Sequence, residues 1–119
     1  MANILAVGIA TIDIINVLEA YPAEDGEVRA LSQRQTRGGN ATNTLAVLSQ
    51  LGHNCFWAGV LIDEPDAKLI QQDLKAFNID FSACTLLSAG KMPTSYICQS
   101  ESTGSRTIVH HRDCPELSF

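Results

Sequence analysis

An α/β fold is predicted, with a parallel sheet flanked by helices and a small antiparallel β lid. The run Ile4 to Ile9 is continuously apolar without alternation, as expected for a strand buried on both faces of a parallel sheet. Two strand-then-helix units follow one another, which is typical of parallel sheets with right-handed crossovers. Two other stretches are extended in character but too polar for core strands, so they are expected to stand off the main sheet as antiparallel pairs.

Composition limits the class of protein. The chain has 119 residues, at most one ordinary domain, and 45% of them are hydrophobic, enough for a core. It carries 8 basic and 13 acidic residues, net −5, without a basic cluster. Nucleic acid and anionic membranes are therefore disfavoured as main partners.

Cysteine spacing and the N-terminal sequence predict the compartment. The four cysteines (Cys55, Cys84, Cys98 and Cys114) lie far apart and form no Cys-x-x-Cys pair. This spacing disfavours a zinc site or a disulfide framework and favours reduced thiols. The first apolar stretch lacks a positive flank and is too short for a signal peptide or membrane span. We expect a soluble cytoplasmic protein.

Asp13 is the first candidate site residue. It follows the predicted first strand within a few residues, and in open α/β sheets ligands collect at the carboxyl ends of the strands. A carboxylate there is well placed for binding. The alternative is an aspartate that only caps or stabilises a turn.

The first off-sheet pair is predicted over about residues 14–36. Ile14 to Leu18 is β-prone, residues 21–26 form a polar turn, and Glu27 to Thr36 is extended and polar. A helix from Asn40 to Leu51 then follows, because apolar residues recur at helical spacing and Gly52 ends the run.

The turn Arg37-Gly38-Gly39-Asn40-Ala41-Thr42-Asn43 is the most informative motif. Two glycines let the backbone approach a ligand closely and deliver a helix N-terminus, whose unpaired amides favour oxygen-rich ligands. Asn40 and Asn43 are three residues apart and share a helical face. Amide side chains with bare backbone suit a neutral polyol better than an anion. Alternatively, Asn40 or Thr42 only caps the helix.

The second unit and the second pair complete the chain. Asn54 to Gly59 is predicted as a strand, and Pro65 suits the first turn of a helix that ends at Asn78. A second extended pair, Ser95 to Ser100 with Arg106 to His111, spans about residues 95–111. By itself Arg106 is most simply a solvated hairpin charge.

Several stretches together resemble the N-terminal part of the ribokinase-like (PfkB) carbohydrate kinases, and within that family the ketohexokinase (fructokinase) group. They cover essentially the whole chain and are Asp13, Tyr21-Pro22-x-Glu24-Asp25, Leu31-Ser32-Gln33-Arg34, Arg37-Gly38-Gly39-Asn40-Ala41-x-Asn43, Gly52 and Gly104-Ser105-Arg106-Thr107-Ile108-Val109. The Gly-Gly-Asn turn is common to the superfamily, whereas the Tyr-Pro-x-Glu-Asp and Leu-Ser-Gln-Arg stretches point to the ketohexokinase group.

The resemblance implies that residues 1–119 are the N-terminal part of a single kinase domain that phosphorylates a sugar hydroxyl with ATP and Mg²⁺. It assigns sugar binding to Asp13, Gly39, Asn40 and Asn43, and contact with the nucleotide phosphates to Arg106. It also implies a homodimer formed through the β lid. No metal ligand and no catalytic base is assigned within this segment.

Departures from the family pattern leave alternatives open. The family's Gly-Ala-Gly-Asp motif, with the general-base aspartate, matches nothing here, and family members are over twice this length. We therefore expect the sugar-binding half of a kinase. Ser105 stands where ketohexokinases usually have Asn. Ribose, nucleoside and sugar-phosphate kinases remain alternatives, as does a non-catalytic sugar-binding or dimerisation module.

Overall fold

The computed structural model describes residues 1–118, and its mixed α/β architecture confirms the predicted fold class. Eleven elements make up this part of the chain. In order they are β1 Asn3–Val7, β2 Thr11–Leu18, β3 Ser32–Gly38, α1 Asn40–Gln50, β4 Asn54–Ala58, β5 Val60–Ile62, α2 Pro65–Ala76, β6 Ile79–Asp80, β7 Thr85–Leu87, β8 Lys91–Ser100 and β9 Arg106–Asp113.

The main sheet is parallel, with strand order β1-β4-β6. Each strand is connected to the next through a segment that contains a helix, as the two strand-then-helix units predict. Leu45 of α1 and Ile70 of α2 are fully buried, together with Trp57 of β4, in one apolar cluster. Each such side chain stabilises the fold by about 1.5 to 3 kcal/mol relative to exposure, so this cluster holds both helices on the sheet.

The prediction that the first strand is buried on both faces is wrong for residues 1–118. Side chains of β1 alternate, and Leu5 and Val7 are 59% and 62% exposed. Phe56 of β4 is also exposed on that side. The reason is that α1 and α2 cover the other face, which carries Cys55 and Trp57.

The predicted helix boundaries are confirmed within two residues. Helix α1 begins at Asn40 and ends at Gln50, with Gly52 at a φ of +91° just beyond it. Helix α2 begins at Pro65 and is followed by Asn78 in the left-handed conformation, with a φ of +57°. Both ends therefore follow from local backbone chemistry.

The two predicted extended pairs form a second sheet, separate from the main one, with strand order β3-β2-β8-β9. Strands β2 and β3 are antiparallel, as are β8 and β9, but β2 and β8 run parallel and join the two pairs. The first pair differs from its predicted limits. Strand β2 begins at Thr11, and β3 begins at Ser32. Residues 27–31 are not in a strand, because the pairing of β2 with β3 ends at Val17 and Ser32.

Burial varies from one apolar side chain to the next on the second sheet. Ile97 of β8 is only 3% exposed, whereas its partner Ile108 on β9 is 50% exposed. Ile14 packs partly against the main core. The large apolar side chains that β8 and β9 expose are Tyr96, Ile108 and Val109.

A further two-stranded parallel sheet, β5 with β7, was not predicted; its strands lie before and after β6 in the chain. Lys91, at the start of β8, contacts Glu64 and Asp66 at the start of α2, with 2.7 Å between Lys91 Nζ and Glu64 Oε1. These ion pairs connect the second sheet to the helical layer. Neither helix of residues 1–118 is long and apolar enough to cross a membrane.

Candidate functional site

The register of the second sheet determines which side chains share a face. Asp13 on β2 pairs with Ser95 on β8, and Ser95 pairs in turn with His110 on β9. Asp13 therefore lies inside β2, a few residues after the end of β1 as predicted, and not in the turn that the alternative requires. It still reaches the carboxyl end of β1, because Asp13 and Val7 line the same cavity.

The Asp13 carboxylate is oriented by its neighbour on the same strand face. Thr11 Oγ1 donates a hydrogen bond to Asp13 Oδ1 over 2.9 Å. Thr11 is itself buried, so its hydroxyl position is constrained. Asp13 Oδ2 receives no hydrogen bond from residues 1–118, which leaves it available to accept one from a ligand hydroxyl. Strand alternation could have identified Thr11 from the sequence, because residues two apart face the same side.

Two glycines make this arrangement possible, each for a separate steric reason. A Cβ on Gly38 would lie 2.3 Å from Asp13 Oδ2 and 2.6 Å from Thr11 Oγ1. A Cβ on Gly39 would lie 2.3 Å from the carbonyl oxygen of Ile9, and Gly39 has a φ of +99°. Bare backbone at both positions lets β3 and the start of α1 approach the Asp13 carboxylate closely.

The helix-cap alternative for the Gly-Gly-Asn turn is wrong. Gly39 is the N-cap residue of α1, and no side chain caps the helix. Asn40 is the first helical residue and is exposed. Thr42 instead donates from its hydroxyl to the carbonyl oxygen of Gly38 over 2.8 Å, which ties the turn to the first helical turn.

Arg37 holds the Gly-Gly-Asn turn in place. It is only 8% exposed, and its Nε forms an ion pair with Asp73 Oδ2 on α2 over 2.6 Å. Its Nη1 donates to Thr42 Oγ1 and to Asn43 Oδ1, each over 2.8 Å. The sequence does not indicate this role, because Asp73 lies 36 residues away.

All five predicted site residues line one cavity of about 420 Å³ between the two sheets. They are Asp13, Gly39, Asn40, Asn43 and Arg106. Further lining residues that were not predicted are Thr11, Ser95, Ile97 and Ile108. Ser95 and Ile97 could not have been found by local pattern, because the parallel pairing of β2 with β8 brings them there.

The lining of the cavity combines a carboxylate, amides and a cation. Asp13 supplies the only carboxylate of the lining, Asn40 and Asn43 supply amides, and Arg106 supplies the only cation. A carboxylate and two amides can accept from and donate to several hydroxyl groups at once. A single cation, Arg106 at the start of β9, is suited to an anionic group. The lining therefore fits a neutral polyol beside a phosphate. The roles given to these residues remain predictions.

Comparison with known proteins finds a matching family and sequence relatives for the chain. A family model described as pfkB family carbohydrate kinase matches residues 1–113. Mouse ketohexokinase is 42% identical over 117 residues, which are 98% of this chain and 39% of the mouse protein. An ATP-dependent ribose-1-phosphate kinase of Halopiger xanaduensis is 29% identical over 82% of this chain and 33% of its own length.

Solved structures agree on the fold. A putative ribokinase from Agrobacterium tumefaciens superimposes with a TM-score of 0.85 at 25% identity, over 93% of this chain and 36% of that one. This chain thus spans between one third and two fifths of the proteins that it matches.

Proposed function

The chain belongs to the pfkB family of carbohydrate kinases, and we propose that the protein containing it transfers phosphate from ATP to a hydroxyl group of a sugar. The observation that carries this proposal is the single cavity that gathers Asp13, the Gly-Gly-Asn turn and Arg106. The cavity thus combines groups suited to hydroxyls with a group suited to phosphate. Phosphoryl transfer needs this juxtaposition of acceptor and phosphate.

We propose that Asp13, Gly39, Asn40 and Asn43 hold the sugar. Asp13 accepts hydrogen bonds from sugar hydroxyls, and Thr11 keeps the carboxylate oriented for them. The two asparagines, at the start of α1, form hydrogen bonds with further hydroxyl groups of the sugar. The backbone at Gly39 has no side chain to keep the sugar away.

ATP and Mg²⁺ are the proposed cofactors. Arg106 would hold the nucleotide phosphates at the edge of the cavity, and its charge would offset negative charge during transfer. Among residues 1–118, no group of three His, Cys, Asp or Glu side chains is placed to hold a metal ion. We propose that Mg²⁺ would be held mainly by the nucleotide phosphates and would offset their negative charge. This chain supplies acceptor positioning and one phosphate contact.

A neutral ketose is the proposed substrate, by analogy with the ketohexokinase relative. The ribose-1-phosphate kinase relative supports a phosphosugar as the second candidate. A phosphosugar requires extra cations near the sugar. Arg106 is the only cationic lining residue, and Arg37 is already engaged by Asp73, Thr42 and Asn43. The lining thus favours the neutral sugar. It equally suits ribose or the sugar of a nucleoside, which a substrate panel would separate.

We also propose a cytoplasmic homodimer joined through the second sheet. All four cysteines are free thiols, as expected in a reducing compartment. Ile108 lines the cavity, but Tyr96 and Val109, which pair across β8 and β9 on the opposite face, are large apolar side chains that remain exposed. A partner copy that covered them would remove this apolar area from water.

Replacing Asp13 with Ala in the full-length protein tests the proposed site. The carboxylate would accept two hydroxyl bonds, so we expect sugar affinity to fall by about 2 to 4 kcal/mol, with ATP affinity nearly unchanged. Titration calorimetry with fructose, and separately with an ATP analogue, measures both. Asp113→Ala is the matched control, because Asp113 is exposed at the end of β9 and does not line the cavity. Unchanged fructose binding in Asp13→Ala would show that the sugar binds elsewhere.

A further inference from the structure

We propose that Arg37 and Asp73 are positioning residues that lock the side-chain amide of Asn43 in one orientation, with its NH₂ group presented to the cavity. This inference rests on the proposed function, since it assigns the sugar oxygen near Asn43 the role of hydrogen-bond acceptor. It adds to the site a control element on α2, a helix that contributes no residue to the cavity lining.

The orientation follows from donor and acceptor chemistry. The guanidinium of Arg37 carries donors and no acceptor, so only the amide oxygen of Asn43 can face it. Arg37 Nη1 lies 2.8 Å from Asn43 Oδ1. Rotation of the amide by 180° would bring NH₂ against a guanidinium, which can accept nothing from it. Asn43 Nδ2 has no partner among residues 1–118, and Asn43 lines the cavity. The NH₂ group is thus the part of the side chain that is left for a ligand.

Arg37 can hold this orientation because it is itself held on several sides. Its Nε is paired with Asp73 Oδ2, its Nη1 also donates to Thr42, and the Phe77 ring lies 5.9 Å from Cζ. The side chain of Arg37 is only 6% exposed. A buried guanidinium with an ion-pair partner has little freedom to move. The chain of contacts therefore runs from α2 through β3 to the first turn of α1.

Asn40 provides a contrast within the same cavity. Both asparagines are exposed, but the Asn40 side chain has no hydrogen bond to residues 1–118, so it can present either its oxygen or its NH₂ to a ligand. The Asn43 amide has one orientation only, because rotating it by 180° would break the hydrogen bond from Arg37. A locked donor favours a ligand with an acceptor oxygen at that place. Asn43 would then discriminate between sugars, whereas Asn40 would adapt to them.

The test perturbs Asp73, which lies outside the cavity, in the full-length protein. Asp73→Asn keeps shape but removes the charge that holds Arg37. We expect the KM for fructose to rise about threefold to tenfold, with the KM for ATP and kcat within about twofold. Arg37→Lys replaces the guanidinium, which donates to three partners, with a single ammonium group. It should raise the KM for fructose at least as much as Asp73→Asn does. If Arg37→Lys does not fold, Asp73→Asn still decides.

The matched control is Asp66→Asn. Asp66 lies on the same helix, forms an ion pair with Lys91, and its side chain is 29% exposed against 31% for Asp73. Its loss should leave the KM for fructose within twofold. Each change is repeated in an Asn43→Ala background. There Asp73→Asn should have no further effect on the fructose KM, because the residue through which it acts is gone. An additive effect, or an equal shift from Asp66→Asn, would refute positioning.

A second readout does not depend on catalysis. The side-chain NH₂ signals of Asn43, identified by their loss in Asn43→Asp, should shift in the nitrogen–proton spectrum of Asp73→Asn and stay in place in Asp66→Asn. If the wild-type protein phosphorylates no sugar, the proposed function fails, and these signals still decide the positioning claim. Signals that stay unmoved in Asp73→Asn overturn it, whatever the activity of the protein.

Discussion

Alanine at position 38 is expected to displace the Asp13 carboxylate and to weaken sugar binding without touching the nucleotide. The added Cβ would lie 2.3 Å from Asp13 Oδ2, whereas ordinary contact begins at 3.4 Å, a difference of 1.1 Å. It would also lie 2.6 Å from Thr11 Oγ1, the group that orients the carboxylate. Because the Cβ is fixed to the backbone of β3, the Asp13 side chain must move by about 1 Å.

The magnitude follows from that displacement. A misplacement of about 1 Å in a positioned group costs on the order of 100-fold in rate, or about 2.7 kcal/mol. We therefore expect kcat/KM for fructose to fall about 100-fold in Gly38→Ala, with the KM for ATP nearly constant. Overpacking should lower the free energy of unfolding by about 1 to 3 kcal/mol as well. The assay is coupled ADP release by the full-length protein, with thermal unfolding of the same samples.

Gly52→Ala separates the two effects. Gly52 has a φ of +91°, so alanine is strained there, and a Cβ would meet nothing within 4 Å. We expect a stability loss of about 1 to 2 kcal/mol with fructose kinetics unchanged. If folded Gly38→Ala kept its fructose kcat/KM within threefold of wild type, the Asp13 carboxylate would not be the group that holds the sugar.

Two further predictions concern assembly and activity. The full-length protein should sediment as a dimer at micromolar concentration. Val109→Asp should shift it toward monomer, because Val109 is 66% exposed and its replacement leaves the core intact. A wild-type protein that is strictly monomeric would contradict the proposed interface. The 119-residue chain alone, once shown to be folded by circular dichroism, should release no ADP in the presence of fructose, since its cavity supplies Arg106 as its one cationic contact for a nucleotide. ADP release by this chain would refute the claim that the rest of the protein is needed for phosphoryl transfer. Activity confined to the longer protein would support it.

Local chemistry, readable from the sequence, determined the elements that end where a special backbone conformation is required. Asn78 ends α2 in the left-handed conformation, and Gly39 introduces α1 at a φ that disfavours a side chain. The two strand-then-helix units likewise predicted that the main sheet is parallel, as it is. These signals are short-range, because each depends on the residue itself or on periodicity within one element. The resemblance then pointed to five candidate site residues, all of which line one cavity.

Tertiary structure alone decided what depends on distant pairing. The parallel register of β2 with β8 joined two hairpin-like pairs into one sheet and brought Ser95 beside Asp13. The pairing of Arg37 with Asp73 made Arg37 a buried anchor for Asn43, a role that the sequence does not indicate. Nothing in either local sequence specifies a partner tens of residues away, because many polar strands and many carboxylates could satisfy the same hydrogen-bonding groups. Only the packing of α2 against the sheets brings Asp73 within reach of Arg37, and that packing is a property of the folded chain.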